Sequence, residues 1–217
     1  MDFAAARRIM VDSQIRPNDV TEPEIVSAFM KVAREAFVPA SRKVVAYSET
    51  EIETSAGRAL WPARDFSKLL KAAQPTKTDI SLVIGAGAGY EAAILAELVE
   101  TVIGLDDDEA VTNATTELLI AQGADRAVIV QGDLAAGLPE QGPFDLILIN
   151  GMVQTIPDAW FAQLSQNGRL AVVVEEDFGF GTARIYTKSG DAVSFRSVFE
   201  TTAPKFDAFD AKPSFSF

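Results

Sequence analysis

A short segment, residues 80–90, constrains the fold of this chain more than any other part of its sequence. It reads Ile-Ser-Leu-Val-Ile-Gly-Ala-Gly-Ala-Gly-Tyr, an apolar run of strand character followed by glycines at alternate positions. The residues after it, Glu-Ala-Ala-Ile-Leu-Ala-Glu-Leu, are rich in strong helix formers. A strand, a glycine turn and a helix N-terminus form a corner where ligand atoms can lie directly against the backbone. The segment therefore predicts either a nucleotide-binding corner or a simple tight turn.

The glycine spacing distinguishes between classes of nucleotide. A dinucleotide-binding fold has glycines at the first, third and sixth positions of its motif, whereas the sixth position here is Tyr90. A nicotinamide or flavin oxidoreductase is therefore disfavoured. The pattern G-x-G-x-G is instead typical of methyltransferases that use S-adenosylmethionine and release S-adenosylhomocysteine. The predicted cofactor contacts in this segment are Gly85, Ala86, Gly87 and Gly89.

Strand-like and helix-like segments alternate after the glycine segment. Strands are predicted at 80–84, 101–105, 127–131, 144–149 and 169–174, and helices at about 90–100, 109–122 and 157–166. Such alternation is typical of a doubly wound, mostly parallel α/β sheet. Residues 182–200 read as two strands around Ser189-Gly190, which predicts an antiparallel hairpin. We therefore expect a seven-stranded Rossmann-like methyltransferase sheet that ends in an antiparallel C-terminal hairpin.

The first third of the chain reads as helical. Helices are predicted over residues 2–14 and near residues 24–32, and residues 37–65 read as a long connection with short strands. We expect residues 1–75 to form an N-terminal helical extension with a substrate-loop region. Residues 76–217 would form the domain that binds S-adenosylmethionine, and the two parts would make one compact unit.

The composition excludes several classes of function. There are 31 acidic against 19 basic residues, so an extended nucleic-acid backbone would be repelled and no nucleic-acid partner is expected. The chain has no cysteine and no histidine, which excludes disulfides, thiolate catalysis and serine–histidine hydrolysis, and we predict no metal site. Carboxylates, Lys, Tyr, hydroxyls or positioning alone must carry the chemistry, and the sequence identifies no catalytic side chain.

The sequence also indicates where in the cell the protein is expected. No apolar run approaches the roughly 18 residues that a spanning helix needs. The first eight residues, Met-Asp-Phe-Ala-Ala-Ala-Arg-Arg, lack the apolar core of a secretory signal. We therefore expect a cytoplasmic protein without a membrane partner.

Polar residues follow the predicted strands at the sheet edge where such folds bind ligands. Asp106 ends the second strand of the alternation and could accept both ribose hydroxyls, and its neighbour Asp107 could assist or lie in the first turn of the next helix. Asp133 could accept from the adenine amine, with Leu134 against the ring, and Asn150 would lie beside the transferable methyl group. The alternatives are a solvated charge at 106, a Gly-Asp turn at 133 and an Asn-Gly turn at 150.

Two motifs resemble those of the protein-L-isoaspartate O-methyltransferase family. The segment Val32-Ala-Arg-Glu-Ala-Phe-Val-Pro39 is similar to that family's Val-Pro-Arg-Glu-x-Phe-Val-Pro. The segment Ile84-Gly-Ala-Gly-Ala-Gly-Tyr90 is similar to its Ile-Gly-Thr-Gly-Ser-Gly-Tyr. Shorter matches follow in the expected order at Ala46-Tyr47, Gly132-Asp133, Pro143-Phe-Asp145, Ile156-Pro157 and Gly168-Arg-Leu170. The resemblance covers about residues 10 to 175 and weakens in the tail.

The resemblance implies a reaction and a substrate. Members of that family transfer a methyl group from S-adenosylmethionine to the α-carboxyl group of isoaspartyl residues, which starts their repair. The expected partners are therefore proteins or peptides that contain isoaspartate. This chemistry suits a chain without histidine, because a carboxylate is already ionised at neutral pH. Catalysis would depend on in-line positioning in a site from which water is largely excluded.

Two departures from the family pattern support an alternative. The family's substrate loop reads Gly-Gln-Thr-Ile-Ser before a proline, whereas residues 57–62 here read Gly-Arg-Ala-Leu-Trp-Pro. Whether the two segments are aligned on the glycine or on the proline, no hydroxyl side chain stands at the position of the family's serine. The candidate substrate contacts are Arg58, which could bind a carboxylate in bidentate fashion, Leu60, and Trp61, which could be a hydrophobic lid. Val83 stands where the family carries Glu. The alternative is a non-catalytic sensor or adaptor that retains the fold and the cofactor.

Overall fold

The N-terminal third is mainly helical, as its sequence predicts. In the computed structural model, which describes residues 1–55, 57–177 and 179–211, it begins with α1 (Phe3–Met10), which continues as a π-helical turn at Val11–Ile15. It then contains α2 (Pro23–Lys31), the short strands β1 (Ile52–Ser55) and β2 (Arg58–Leu60), and α3 (Ala63–Ala73). The two strands pair antiparallel as a hairpin, so the long predicted connection does contain short strands.

Strands and helices alternate from residue 80 onward. In chain order they are β3 (Ile80–Ile84), α4 (Tyr90–Ala96), β4 (Thr101–Asp106), α5 (Glu109–Ala121), β5 (Ala127–Gln131), β6 (Phe144–Val153), α6 (Asp158–Ala162), β7 (Leu164–Asp177), β8 (Phe180–Ser189) and β9 (Ala192–Thr201).

The seven strands β3 to β9 form one sheet in the order β5–β4–β3–β6–β7–β8–β9. The first five strands in that order run parallel, whereas β8 and β9 pair antiparallel at the edge. The chain order therefore reverses between β3 and β6, and this places the carboxyl ends of β3, β4 and β6 side by side. The doubly wound sheet with its antiparallel C-terminal hairpin is confirmed.

Several predicted element boundaries are wrong, including the end of α4, which the structure places at Ala96 and not near residue 100. The helix expected to reach residue 166 ends at Ala162, and β7 begins at Leu164, because Leu164 pairs with Phe144 ahead of a register shift. Asn167 adopts a left-handed φ of 63° inside that irregular stretch, so Asn167-Gly168 marks a bulge in a strand. Similarly, β6 continues to Val153 through a second register shift. Asn150 therefore lies within a strand and is not part of a terminal turn.

Both faces of the sheet are covered, which explains the near-continuous apolar sequence of β6. The larger core cluster joins the N-terminal helices to one face of the sheet. In that cluster Phe29 packs against Phe66 and Tyr90, with ring centroids 5.9 and 6.4 Å apart. The second cluster, on the other face, contains Trp160 and Phe206. None of the helices in the described residues combines the length and apolar character that crossing a membrane requires.

We expect Leu148→Ala in the central strand β6 to lower the free energy of unfolding by about 2–5 kcal/mol, because Leu148 is completely buried and its truncation leaves a cavity. Urea denaturation at pH 7 measures this change. The matched control is Ile120→Ala on α5, where the side chain is 72% exposed, and it should change stability by less than about 0.5 kcal/mol. Equal effects at the two positions would contradict the central placement of β6.

Candidate functional site

The residues that join β3 to α4, which we call the glycine corner (residues 84–90), form a tight turn at the carboxyl end of the sheet. Gly85, Gly87 and Gly89 all adopt positive φ values of 75°, 53° and 85°, which only glycine adopts at little cost. The carbonyl oxygen of Leu105 in β4 accepts from the N–H groups of Gly85 and Ala86 at 2.8 and 3.0 Å. The corner is therefore fixed to the neighbouring strand.

Asp106 lies at the end of β4, next to the glycine corner, and its side chain is fully buried. Its carboxylate accepts from the N–H groups of Gly87 at 2.9 Å and Asp108 at 3.3 Å. The guanidinium of Arg58 donates to the same carboxylate from Nε at 3.1 Å and from Nη2 at 3.2 Å. Arg58 Nη2 also lies 2.5 Å from Oδ1 of the exposed Asp107. Arg58 is thus held by Asp106 and Asp107, two of the three acids predicted to contact the cofactor.

The residues predicted to contact adenine have different environments. Asp133 is exposed, and its carboxylate accepts from the N–H of Ala135 at 2.8 Å, as in a local turn. Leu134 is buried, and its carbonyl oxygen accepts from Nε1 of Trp160 at 2.8 Å. The turn that the sequence offered as an alternative at position 133 is therefore present, and the adenine contacts stay predictions.

Asn150 connects the glycine corner to residues 57–62, which we call the altered loop. Its side chain is buried and donates to the carbonyl oxygen of Gly85 at 2.9 Å and to Oε2 of Glu91 at 3.4 Å. Its Oδ1 accepts from Nε1 of Trp61 at 2.8 Å. The sequence predicts Asn150 beside the methyl group, and the structure places its side chain against the glycine corner.

The loop residues predicted to contact substrate divide into two kinds. Leu60 and Trp61 are buried in the core, so they pack inside the protein in this conformation. Arg58 instead lies along the glycine corner. A β-carbon on Gly87 would be 3.4 Å from Cβ of Arg58. Where the family loop carries hydroxyl residues, this chain therefore has the buried Trp61 and an arginine, Arg58, that reaches Asp106. Val83, where the family carries Glu, is fully buried in the core.

Glu91 is a site residue that the sequence reasoning missed, because a Glu in the first turn of a helix is common. It is completely buried beside Asn150, and its Oε1 has no hydrogen-bond partner among the described residues. Burial raises the pKa of Glu91 to about 7, although the nearby guanidinium of Arg34 acts to lower it. Arg34 is itself buried and donates to the carbonyl oxygens of Ala46 at 2.7 Å and Trp61 at 2.5 Å.

Phe206 is a second residue that sequence reasoning missed, since the tail contains no recognisable motif. Its buried ring lies on the glycine corner, where a β-carbon on Gly85 would overlap it. The same ring approaches Gly151, whose added β-carbon would lie 3.1 Å from Cδ1 of Phe206. The guanidinium carbon of Arg58 lies 5.0 Å from the ring centroid, which is a cation–π distance.

The arrangement matches the chemistry of an adenosyl cofactor. A side-chain-free turn beside a buried carboxylate at the next strand end suits a ribose, whose hydroxyls donate to that carboxylate. We call the surface formed by Gly85, Gly87, Asp106 and Gly151 the cofactor cradle. These residues fit S-adenosylmethionine, and in this conformation Phe206 and Arg58 lie over them. Among the described residues no group of three or more acidic side chains is arranged to hold a metal ion.

Comparisons with known proteins agree with this reading. The family model described as Protein-L-isoaspartate(D-aspartate) O-methyltransferase (PCMT) matches residues 6–202. A protein-L-isoaspartate O-methyltransferase from Roseiflexus castenholzii is 33% identical over 174 residues, which are 80% of this chain and 79% of the relative. One from Methylorubrum extorquens is 32% identical over 195 residues, which are 90% and 85% of the two chains.

Solved structures show the same fold. A Plasmodium falciparum protein described as a protein-L-isoaspartate O-methyltransferase, crystallised with S-adenosyl-L-homocysteine, has a TM-score of 0.79 at 17% identity and covers 94% of this chain and 98% of its own. A second structure with the enzyme's name has a TM-score of 0.77 at 20% identity. The match spans 93% of this chain and 65% of that one, just under two thirds.

We expect stability to fall between pH 5 and pH 8, because the pKa of Glu91 is raised from 4.5 to about 7. In that window the unfolded chain loses the proton while the folded chain still holds it, so unfolding becomes easier as pH rises. Glu91→Gln should reduce the drop in Tm from pH 5 to pH 8 by at least about 4 °C. Differential scanning calorimetry measures Tm at pH 5 and at pH 8 for the variant and the unmodified chain. The control Glu117→Gln, at an exposed position in α5, should leave the drop unchanged, and an unchanged drop in Glu91→Gln would contradict the assignment.

Proposed function

We propose that this chain methylates the carboxyl group of isoaspartyl residues in damaged proteins. It belongs to the protein-L-isoaspartate O-methyltransferase family, and its methyl donor is S-adenosylmethionine. The family model extends over nearly the whole chain, and relatives that carry the enzyme's name match four fifths of it or more. These matches favour an enzyme over the non-catalytic sensor or adaptor that the altered loop suggested.

One observation in the structure carries the proposal. The glycine corner and the buried carboxylate of Asp106 lie side by side, joined by the hydrogen bond from Gly87 at 2.9 Å. In this proposal Asp106 accepts from the ribose hydroxyls, and the bare backbone of Gly85 and Gly87 admits the methionine portion of the cofactor. Asn150, beneath the corner, would border the methyl group.

The remaining cofactor contacts are proposed from their place in the sheet. Asp133 and Leu134 follow β5, the neighbour of β4, and would border the adenine. Asp107 would assist at the ribose, because it follows Asp106 and lies on the exposed side of the cradle.

The proposed methyl transfer requires no acid, base or nucleophile from the protein's side chains. S-adenosylmethionine supplies a methyl group that is activated by its sulfonium charge. An oxygen of the substrate carboxylate forms the new bond to the methyl carbon, and the carbon–sulfur bond breaks with its electron pair left on sulfur. Because the carboxylate is already ionised at neutral pH, no general base is needed. The chain would contribute alignment of the reacting groups and a site from which water is largely excluded.

The location and the partners stay predictions from the sequence and its family resemblance. Net charge of −12 disfavours a nucleic-acid partner. A protein or peptide with an isoaspartyl residue is the partner that the proposed reaction requires, and the cytoplasm is the location we expect.

The substrate proposal predicts that methyl transfer depends on the position of one carboxyl group. The protein should transfer label from S-adenosylmethionine to an isoaspartyl peptide at least about tenfold faster than to the same peptide with ordinary aspartate. The labelled methyl ester hydrolyses to methanol, which is collected and counted. Equal labelling of the two peptides, or label on neither peptide while S-adenosylhomocysteine binds, would contradict the substrate assignment.

The cofactor proposal predicts that Asp106→Asn weakens binding of S-adenosylhomocysteine by roughly ten- to a hundredfold, because hydrogen bonds to a charged acceptor are lost. Isothermal titration calorimetry measures the affinity, and circular dichroism checks that the variant is folded. The control Asp125→Asn, at an exposed turn before β5, should bind like the unmodified chain. Unchanged affinity in Asp106→Asn would remove Asp106 from the proposed site.

A further inference from the structure

We infer that residues 203–209, which we call the C-terminal latch, close the cofactor cradle and must move away before S-adenosylmethionine binds. The inference rests on the proposed cofactor site and adds its regulation. The latch follows the last strand of the sheet, crosses the carboxyl end of β6 and runs over the glycine corner.

The first half of the closure is made by Phe206. Its ring lies where a β-carbon on Gly85 would be, and against Gly151 as well. The corner's glycines leave this space free of side chains, so the ring occupies the volume that ligand atoms need in order to touch the backbone. Phe206 is 3% exposed, which means that the ring is seated in the cradle and does not lie loosely above it. Ring and cofactor therefore exclude one another.

The second half of the closure is made by Arg58. Its guanidinium makes two hydrogen bonds to the Asp106 carboxylate, the group proposed to accept from the ribose. It also lies over the ring of Phe206 at 5.0 Å. The cation thus bridges the latch and the ribose acid, and the ribose hydroxyls must replace it. Removal of Phe206 from the corner also removes one of the contacts that hold Arg58 in place.

The latch is held by contacts that can be broken without unfolding the sheet. The N–H of Met152 donates to the carbonyl oxygen of Pro204 at 2.7 Å, and the N–H of Phe206 donates to the carbonyl oxygen of Met152 at 2.9 Å. These bonds form a single parallel bridge between Met152 and Lys205. Lys205 adds ion pairs to Glu175 and Asp210 at 3.4 and 3.2 Å, and its side chain is 37% exposed, so those pairs add little.

Phe209 completes the attachment of the latch. Its ring packs on Trp160 with centroids 5.0 Å apart, and its carbonyl oxygen accepts from the N–H of Thr155 at 3.0 Å. Phe206 and Phe209 are the two large apolar side chains that the latch buries. An opened latch would expose both rings, so the closed form is favoured while no cofactor competes.

The consequence is a weakened apparent affinity. A ligand that binds only the open form has an affinity reduced by the fraction of molecules that are open. A change that favours the open form should therefore tighten binding of S-adenosylhomocysteine, and a change that fixes the closed form should weaken it. An ordinary loss of a binding residue would act in the opposite direction.

The first experiment titrates S-adenosylhomocysteine into the full chain and into Phe206→Ala by calorimetry. We expect Phe206→Ala to bind at least about tenfold more tightly, because the ring no longer fills the cradle. The matched control is Phe195→Ala on the edge strand β9, where the ring is 55% exposed, and its affinity should equal that of the unmodified chain.

The second experiment fixes the latch reversibly in one molecule. Met152 and Lys205 face each other across the bridge, and the chain has no cysteine of its own. The double variant Met152→Cys, Lys205→Cys therefore carries a single pair of thiols that oxidation can join. After mass spectrometry confirms the bond, we expect oxidised protein to bind S-adenosylhomocysteine at least tenfold more weakly than the same sample reduced with dithiothreitol. The reduced sample is the control for folding.

Two results would overturn the inference in different ways. Equal affinities for Phe206→Ala and the unmodified chain, together with equal affinities for the oxidised and reduced double variant, would dismiss the latch and leave the cofactor site in place. Absence of S-adenosylhomocysteine binding by every variant, Phe206→Ala included, would dismiss the cofactor site and the latch with it.

Discussion

The buried carboxylate of Asp106 is the constraint on which the rest of the site depends. A carboxylate without solvent needs a partner or several hydrogen bonds, because an unpaired buried charge is very costly. Backbone N–H groups supply part of that need, and the Arg58 guanidinium supplies the rest. In the proposed site, ribose hydroxyls would take the place of the guanidinium, so the same carboxylate would serve the closed form and the loaded form. Arg58 of the altered loop therefore neutralises this buried acid.

A second network connects that loop to the glycine corner. Trp61 donates to Asn150, which donates to the carbonyl oxygen of Gly85, and Glu91 lies against the same amide. Movement of the loop that carries Arg58 would therefore strain the bonds that hold the corner. The loop and the corner are therefore joined by hydrogen bonds, and burial raises the pKa of Glu91 beside them.

The sequence predicted those parts of the structure that depend on local patterns. Alternating apolar runs predicted the sheet and its antiparallel hairpin, and the glycine spacing with Asp106 predicted the corner and the adjacent acid. It could not predict that β7 begins at Leu164, because a bulge depends on pairing with Phe144. It could not predict Phe206 either, since a phenylalanine in a tail carries no signal of the distant glycine on which it packs.

A crystal structure of the chain with S-adenosylhomocysteine tests the central claim most directly. The account predicts ribose hydroxyls within hydrogen-bond distance of the Asp106 carboxylate, with the Phe206 ring displaced from Gly85 and the Arg58 guanidinium turned away from Asp106. S-adenosylhomocysteine bound at the sheet edge while Phe206 still lies on Gly85, or bound without contact to Asp106, would contradict it.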